Sequence, residues 1–427
     1  MKIQQYFKKI GAVSCALWLF TQTAFGAAAM PGTPQSLNSP AAWVKPDGNT
    51  VLATPARIKA MNQHMELATF GDSFTRLSDT VSGTLLKKYV DEYTMDTEQY
   101  VQGAPLSHSF ATALVSDARK NIKAVNTVRY GVVVDRSDLR SFPTLQRAFD
   151  SPGDYDFDNW QETAVDPATP VRVYHTNPQG TFVFVRTPDY RGWLPLNKVA
   201  ITDKATWQIY AAPAAPAVVT GRLLNLKAGS RTQLYQMGTA IPTKGGNLLL
   251  PTRDTKGHLA IVPVKASYNA SLHQGCLPYT TNNTLRLAFH HLGAPYGWGG
   301  MKHSVDCSAF VQDVYKAMGI KLPRNGDEQE KAFPGKSFRG LSHSARLQAA
   351  AKLAPGSVIF TPTHVMMILG NHQGQPYMIH SLGSYGQPTE DGVIKKRIMQ
   401  VVVSKADLLG GSGTSILDQV TKGITYR

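Results

Sequence analysis

The sequence predicts an α+β chain of several domains: an N-terminal helical region, two small β-barrels, and a last domain in which one helix packs on an antiparallel sheet. Three observations predict it. Apolar residues recur at helical spacing from Pro55 to about Asn121; from about Val125 the period changes to two and turn residues crowd in; and from about Tyr279 helical and strand patterns mix. At 427 residues the chain is too long for one ordinary domain. Hydrophobic content of 42% and charged content of 17% describe folded material, not disorder.

Taken in order, residues 1–26 read as a secretory signal. Lys2, Lys8 and Lys9 precede an apolar run from Ile10 to Phe20, and Ala24-Phe25-Gly26 places small residues at both positions inspected for cleavage, with a second possible cut after Ala29. The run is too short to span a bilayer, and no other segment is long enough. An exported protein, periplasmic or secreted, with no integral membrane segment is expected. Cys15 lies inside the signal with too little apolar sequence before it for a lipid anchor. The formal charge is +15, and losing the three signal lysines leaves +12. That balance suits an anionic polymer such as cell wall. No Lys/Arg cluster interleaved with aromatics and no recognition-helix pattern argues for nucleic acid, so none is expected as a partner.

Residues 27–122 form the helical region, beginning with a loose, proline-rich leader to about residue 50. Ile58, Met61 and Met65 share one helical face; Leu85, Leu86, Tyr89 and Tyr93 form another; residues 107–121 make a third candidate. Residues 123–210 form the first barrel, with strands at 127–135, 171–175, 182–187 and 192–195 separated by turns at 151–154 and 177–180. A proline-alanine stretch at 211–216 opens the second barrel, which runs to 278. Residues 279–427 form the last domain: a helix at 283–292, the glycine-rich turn Pro295-Tyr296-Gly297-Trp298-Gly299-Gly300, a helix headed by Cys307, a long connection to about Ala354, and strands at 357–361, 364–369, 377–381 and 393–403.

The chemistry sits in that domain. Cys307 follows Asp306, a candidate N-cap, and heads the run Phe310, Val311, Val314, Met318 that Gly319 closes. A thiol at a helix N-terminus feels the positive end of the dipole, which favours thiolate. His364 and His380 each border a short apolar strand, and adjacent strands can set two imidazoles side by side. His364 is the candidate base that forms an ion pair with Cys307, and His380 the group that fixes its tautomer. Cys, His and a second polar group in this chain order is the arrangement of a papain-like cysteine hydrolase. Zinc would need a close ligand pair, and neither Cys-x-x-Cys nor His-x-x-x-His occurs among these residues, so no metal and no cofactor are expected. Cys276, the other mature thiol, reads as a small buried apolar residue rather than a disulfide partner, since a bond to Cys307 would silence the nucleophile. The Cys307 amide and the Tyr296 hydroxyl are candidate oxyanion donors. His290, His291, His303, His343 and His372 are taken as surface or structural.

Five stretches in order and spacing, Leu292 to Gly300, Asp306-Cys307-Ser308, Leu322-Pro323-Arg324-Asn325, Thr363-His364-Val365 and Ile379-His380-Ser381, resemble the NlpC-type cell-wall cysteine endopeptidases over residues 283–405. Upstream, Arg129-Tyr130-Gly131, residues 136–144 and Arg191-Gly192-Trp193 are similar to the first of two bacterial Src-homology-3-type barrels that precede this domain in one subgroup. The resemblance implies a papain-like fold and a substrate, peptidoglycan stem peptides cut between γ-linked D-glutamate and diaminopimelate. It implies Cys307 as nucleophile, His364 as base, His380 as third residue and Tyr296 near the oxyanion, with Asp306, Ser308, Trp298 and Arg324 as candidate substrate contacts. It also implies that the first barrel borders the cleft and favours a free L-alanine amine; the amine-binding residue is not mapped, Asp138 being a guess with a salt bridge on the barrel surface as its competing role. Two departures stand out: Pro355-Gly356-Ser357 where many relatives have Pro-Gly-Asp, and Gly326 where many carry Ser. The competing expectations are a wall-binding protein with an idle hydrolase fold, and an amidase or acyltransferase using the same thioester.

Overall fold

The computed structural model describes residues 26–427. The expected secretory signal, Gly26 excepted, lies outside the described residues. No helix among the described residues is long and apolar enough to cross a membrane.

The stretch expected as a loose leader is packed. Its prolines start short 3-10 turns at Pro40–Ala42 and Pro46–Asn49. Trp43 is buried against the ring of Tyr377 at 5.8 Å, and its indole N–H donates to the Leu37 carbonyl. Asn282 clamps the backbone of Lys45 through both its amide oxygen and nitrogen. Proline-rich composition hid this because the anchors are single side chains meeting partners hundreds of residues away. Helices α1 (Pro55–Phe70), α2 (Gly83–Val90) and α3 (His108–Arg119) follow, each capped by a Thr or Ser hydroxyl. Met61 and Met65 of α1 bury into the last domain's core, whereas Leu86 of α2 packs on the first β module. Leu85, placed on the same face as Leu86 from sequence, is exposed.

The first β module contains β1 (Arg129–Val133), β2 (Ser137–Arg140), β3 (Gln161–Val165), β4 (Pro170–Thr176), β5 (Phe182–Arg186), β6 (Arg191–Pro195) and β7 (Val199–Thr202). They form an antiparallel sheet in the order β7-β1-β4-β5-β6-β2-β3, an open ladder rather than a closed barrel. Helix α4 (Lys204–Ala211) leads into a second module, a five-stranded sheet plus the hairpin Leu223–Ala228 with Arg231–Gln236.

The last domain holds α5 (Thr281–Phe289), α6 (Cys307–Lys316), α7 (Gly326–Lys331) and α8 (His343–Ala351) with β8 (Lys336–Ser337), β9 (Val358–Thr361), β10 (His364–His372), β11 (Gln375–Thr389), β12 (Gly392–Lys405) and β13 (Lys422–Ile424). The sheet order is β8-β13-β9-β10-β11-β12, all antiparallel. The long connection contains α7, which has no apolar residue, and α8, whose apolar residues are alanines apart from Leu347. Strand alternation divides the core in two. Val365, Met367, Ile379 and Val403 pack with Phe310, Val311 and Val314 of α6, while Met366, Ile368, Met378 and Val402 pack with Ala349 and Ala350 of α8.

Candidate active site

Cys307 is the first residue of α6 because Asp306 caps it: the carboxylate accepts from the Ala309 amide at 2.9 Å. The thiol is partly buried, and Cys307 and Cys276 are both free. Cys276 is exposed rather than buried, seated beside Gly319 at the end of α6's turn.

His364 starts β10. Its Nε2 lies 2.7 Å from His380 Nδ1 on β11. The register places Met367 opposite Ile379 and Ile368 opposite Met378, so His364 and His380 share one face as diagonal neighbours. That face is the one in phase with Met366 and Met378, not the one on which α6 lies. The thiol therefore meets β10 at its end, where the Val365 amide acts on the sulfur as a donor. Covalent geometry puts the His364 Cα one residue from that amide.

Burial, and then the neighbouring Asp306 charge, push the Cys307 thiol up to about 12, although the Val365 and Ser308 amides and Arg324 pull the other way. Burial holds His364 down to about 4 and His380 well below the ordinary imidazole value, the latter also through the charge of His364. Both shifts run against the expected thiolate–imidazolium pair. The helix terminus does favour thiolate, but desolvation and a buried carboxylate next door outweigh it. A neutral thiol and a neutral imidazole are the partners that general-base activation requires.

A pH dependence follows. With the base depressed, activity should hold as pH falls through 6.5 and drop only near 4, and the alkaline side should show no loss below pH 9. The same sign governs stability. The unfolded chain binds protons on both imidazoles near 6.5, so their contribution is complete above that value and is lost as pH falls toward and through about 4. Rates of thiol alkylation against pH check the first half: a plateau at neutral pH would mean that the ion pair already exists.

Asp306, Ser308 and Arg324, candidate substrate contacts by sequence, are buried and engaged with one another. Arg324 donates to the Asp306 carboxylate at 2.5 and 3.2 Å, to Ser308 Oγ at 2.9 Å and to Thr163 Oγ1 at 2.8 Å. Asp306 also accepts from the Gly299 amide at 3.0 Å and from Ser308 Oγ at 3.2 Å. Burial opposes its charge, yet the Arg324 guanidinium keeps the carboxyl below the usual range. These three residues build the platform under Cys307.

Thr163 belongs to β3, so the first β module supplies part of that platform. Gly299 and Gly300 make the approach feasible. Both have positive φ, 53° and 82°, and a Cβ at either would stand 2.6 Å from Gln161 Cγ or 2.4 Å from Ala164 Cβ. Gln161 Nε2 donates to the Gly299 carbonyl at 2.8 Å and to Asp138 Oδ1 at 3.0 Å. Asp138, the amine-binding candidate, is thus next to the glycine turn and held by an amide rather than a salt bridge.

Trp298 donates its indole N–H to the Asp158 carbonyl at 3.0 Å. Tyr296 is buried, and burial together with the thiol's charge keeps its hydroxyl protonated far above the usual phenol range, as a donor near the sulfur. Phe157 packs its ring 5.8 Å from Tyr296 and 5.6 Å from Trp298. Its loop is tied down by Lys302 to Asp156 and by Arg397 to Asp154. Sequence reading missed Phe157, Gln161 and Thr163. The one signal for them was the acidic turn Asp154-Tyr155-Asp156-Phe157-Asp158, which has no periodicity to place it at a cleft.

Among the remaining histidines, His291 is buried with Nε2 3.8 Å from Asp313 and burial lowers it to about 3; His290 reaches the Thr220 carbonyl, and His343 pairs with Asp418. Among the described residues no group of three or more His, Cys, Asp or Glu is arranged to hold a metal ion.

Residues 293–403 match the model of the NlpC/P60 family, and residues 147–195 match that of an SH3 domain of the SH3b1 type. The chain is 29% identical over 103 residues to a γ-D-glutamyl-L-lysine dipeptidyl-peptidase of Bacillus subtilis (strain 168), a match covering 24% of this chain and 32% of that protein. The chain thus spans about a third of the length of that curated relative. Its fold is similar to that of an NlpC/P60 endopeptidase from Photobacterium damselae subsp. piscicida, at 18% identity, with a TM-score of 0.73 and coverage of 90% of this chain and 97% of that one. An NlpC/P60 family protein from Bacillus cereus ATCC 10987 aligns at 18% identity over 63% of this chain and 83% of its own, with a TM-score of 0.42.

Proposed function

We propose, from the premise that the chain carries an NlpC/P60 domain behind an SH3b-type domain, that it is a cysteine endopeptidase of peptidoglycan stem peptides, cleaving after γ-linked D-glutamate. One observation carries the reading: a half-buried and a buried imidazole joined at 2.7 Å, with the first beginning the strand that meets the helix-head thiol.

In this reading His364 Nδ1 removes the Cys307 proton as the sulfur attacks the γ-glutamyl carbonyl. The Cys307 amide, a first-turn donor with no intrahelical partner, and the Tyr296 hydroxyl stabilise the oxyanion. His364 then returns the proton to the departing amine of the diamino acid, leaving a thioester that water hydrolyses with the same base. The Bacillus subtilis relative is named for a γ-D-glutamyl-L-lysine bond, which supports the glutamyl side of the cut; the diaminopimelate side rests on the family resemblance. Export on the basic, apolar leader would bring the enzyme to that polymer, and its net positive charge favours an anionic wall.

Digestion of defined tripeptide and tetrapeptide muropeptides, read by mass spectrometry, tests the bond. Products beginning with the diamino acid are expected. Release of an intact stem peptide would make the protein an amidase instead, and binding to insoluble wall without turnover would make it a wall-binding protein.

A further inference from the structure

An imidazole in the third position creates an ambiguity that a carboxylate does not. Neutral imidazole has one donor nitrogen and one acceptor nitrogen, and either can carry the proton. If His380 carried it on Nδ1, it would donate to His364 Nε2. The His364 proton would then sit on Nδ1, and that nitrogen would have no lone pair for the thiol. The productive pattern needs the His380 proton on Nε2.

Ser404 supplies the asymmetry. Its Oγ lies 3.0 Å from His380 Nε2 and 3.1 Å from the backbone carbonyl of Lys405. The Lys405 carbonyl only accepts; with the hydroxyl's single proton directed to it, the oxygen offers His380 a lone pair. His380 Nε2 must then be the N–H. Its Nδ1 is left to accept from His364 Nε2 at 2.7 Å, and His364 Nδ1 is bare. The direction of every donor in this chain is set from one carbonyl that cannot reverse.

The register makes the contact possible. His380 pairs with Val402 and Met378 with Ser404, so Ser404 is the diagonal neighbour of His380 on the same face of β11 and β12. Both residues are wholly buried, so no solvent replaces a missing acceptor. Ser404 lies outside the five sequence stretches that carry the family resemblance.

We propose that Ser404 is a positioning residue that sets the protonation pattern of both imidazoles, a role that rests on His364 being the base proposed above. Ser404→Ala should lower kcat by roughly 10- to 100-fold with little change in KM, while Ser404→Thr, which keeps the hydroxyl, should retain most of it. Nitrogen chemical shifts of the labelled imidazoles give a readout independent of turnover. In the unaltered protein His364 should be protonated at Nε2 and His380 at Nε2; in Ser404→Ala both should shift toward the Nδ1 form. Unaltered kcat, or lost activity with unchanged imidazole shifts and normal thermal unfolding, would overturn the proposal. Should the unaltered protein cleave no muropeptide, the endopeptidase reading fails, yet the shifts still decide what Ser404 does.

Discussion

Cys307→Ala is expected to remove muropeptide cleavage by roughly 10⁴-fold or more in kcat, as loss of a nucleophile does when the rest of the machinery depends on it. The side chain is small and only partly buried, so unfolding should move by less than about 1 kcal/mol. Circular dichroism and thermal unfolding check the fold, and mass analysis of products checks the activity. Retained cleavage would refute the thioester mechanism outright. Cys307→Ser sharpens the test. A hydroxyl is a poorer nucleophile than a thiol, and with a base as weak as His364 near 4 it should be almost as inactive as alanine.

Arg324→Ala is the second large effect, and it acts on the platform rather than on the chemistry. Removing the guanidinium leaves the Asp306 carboxylate buried without its counter-ion, which typically costs about 3–5 kcal/mol. It also releases Thr163, so the contact between β3 and the glycine turn weakens at the same time. A lowered melting transition and a loss of activity should appear together. The double variant Arg324→Met with Asp306→Asn should recover a good part of the stability, because no uncompensated charge remains. A single Arg324→Ala that melts like the unaltered protein would show that the pair is hydrated. Arg324→Lys keeps the charge but loses the fork that reaches both Asp306 oxygens and Ser308, so it should fall between the two.

Much of the site could be read from local pattern. An acidic N-cap directly before Cys307, an apolar period of 3.6 behind it and a closing glycine describe a capped helix in about a dozen residues. His364 and His380 stand at or inside apolar runs that can only be strands, and their relative phase survives into the structure as a direct hydrogen bond. The ionisation of the thiol was less legible. The helix terminus was visible in the sequence, but the desolvation that outweighs it depends on how tightly Val365, Tyr296 and Asp306 close around the sulfur.

By itself, then, the sequence determined the thiol-headed helix and the two imidazole-bearing strands. Each depends on spacing within a few turns or one strand, which backbone periodicity alone enforces. Only the tertiary structure decided that residues 27–50 pack as a wrap, that Asp306, Ser308 and Arg324 form a buried platform with Thr163, that Phe157 closes over Tyr296, and that Ser404 stands behind His380. Those contacts join single side chains far apart along the chain. They arise from shape and hydrogen-bond complementarity after packing, and such complementarity leaves no repeating mark in the order of the residues.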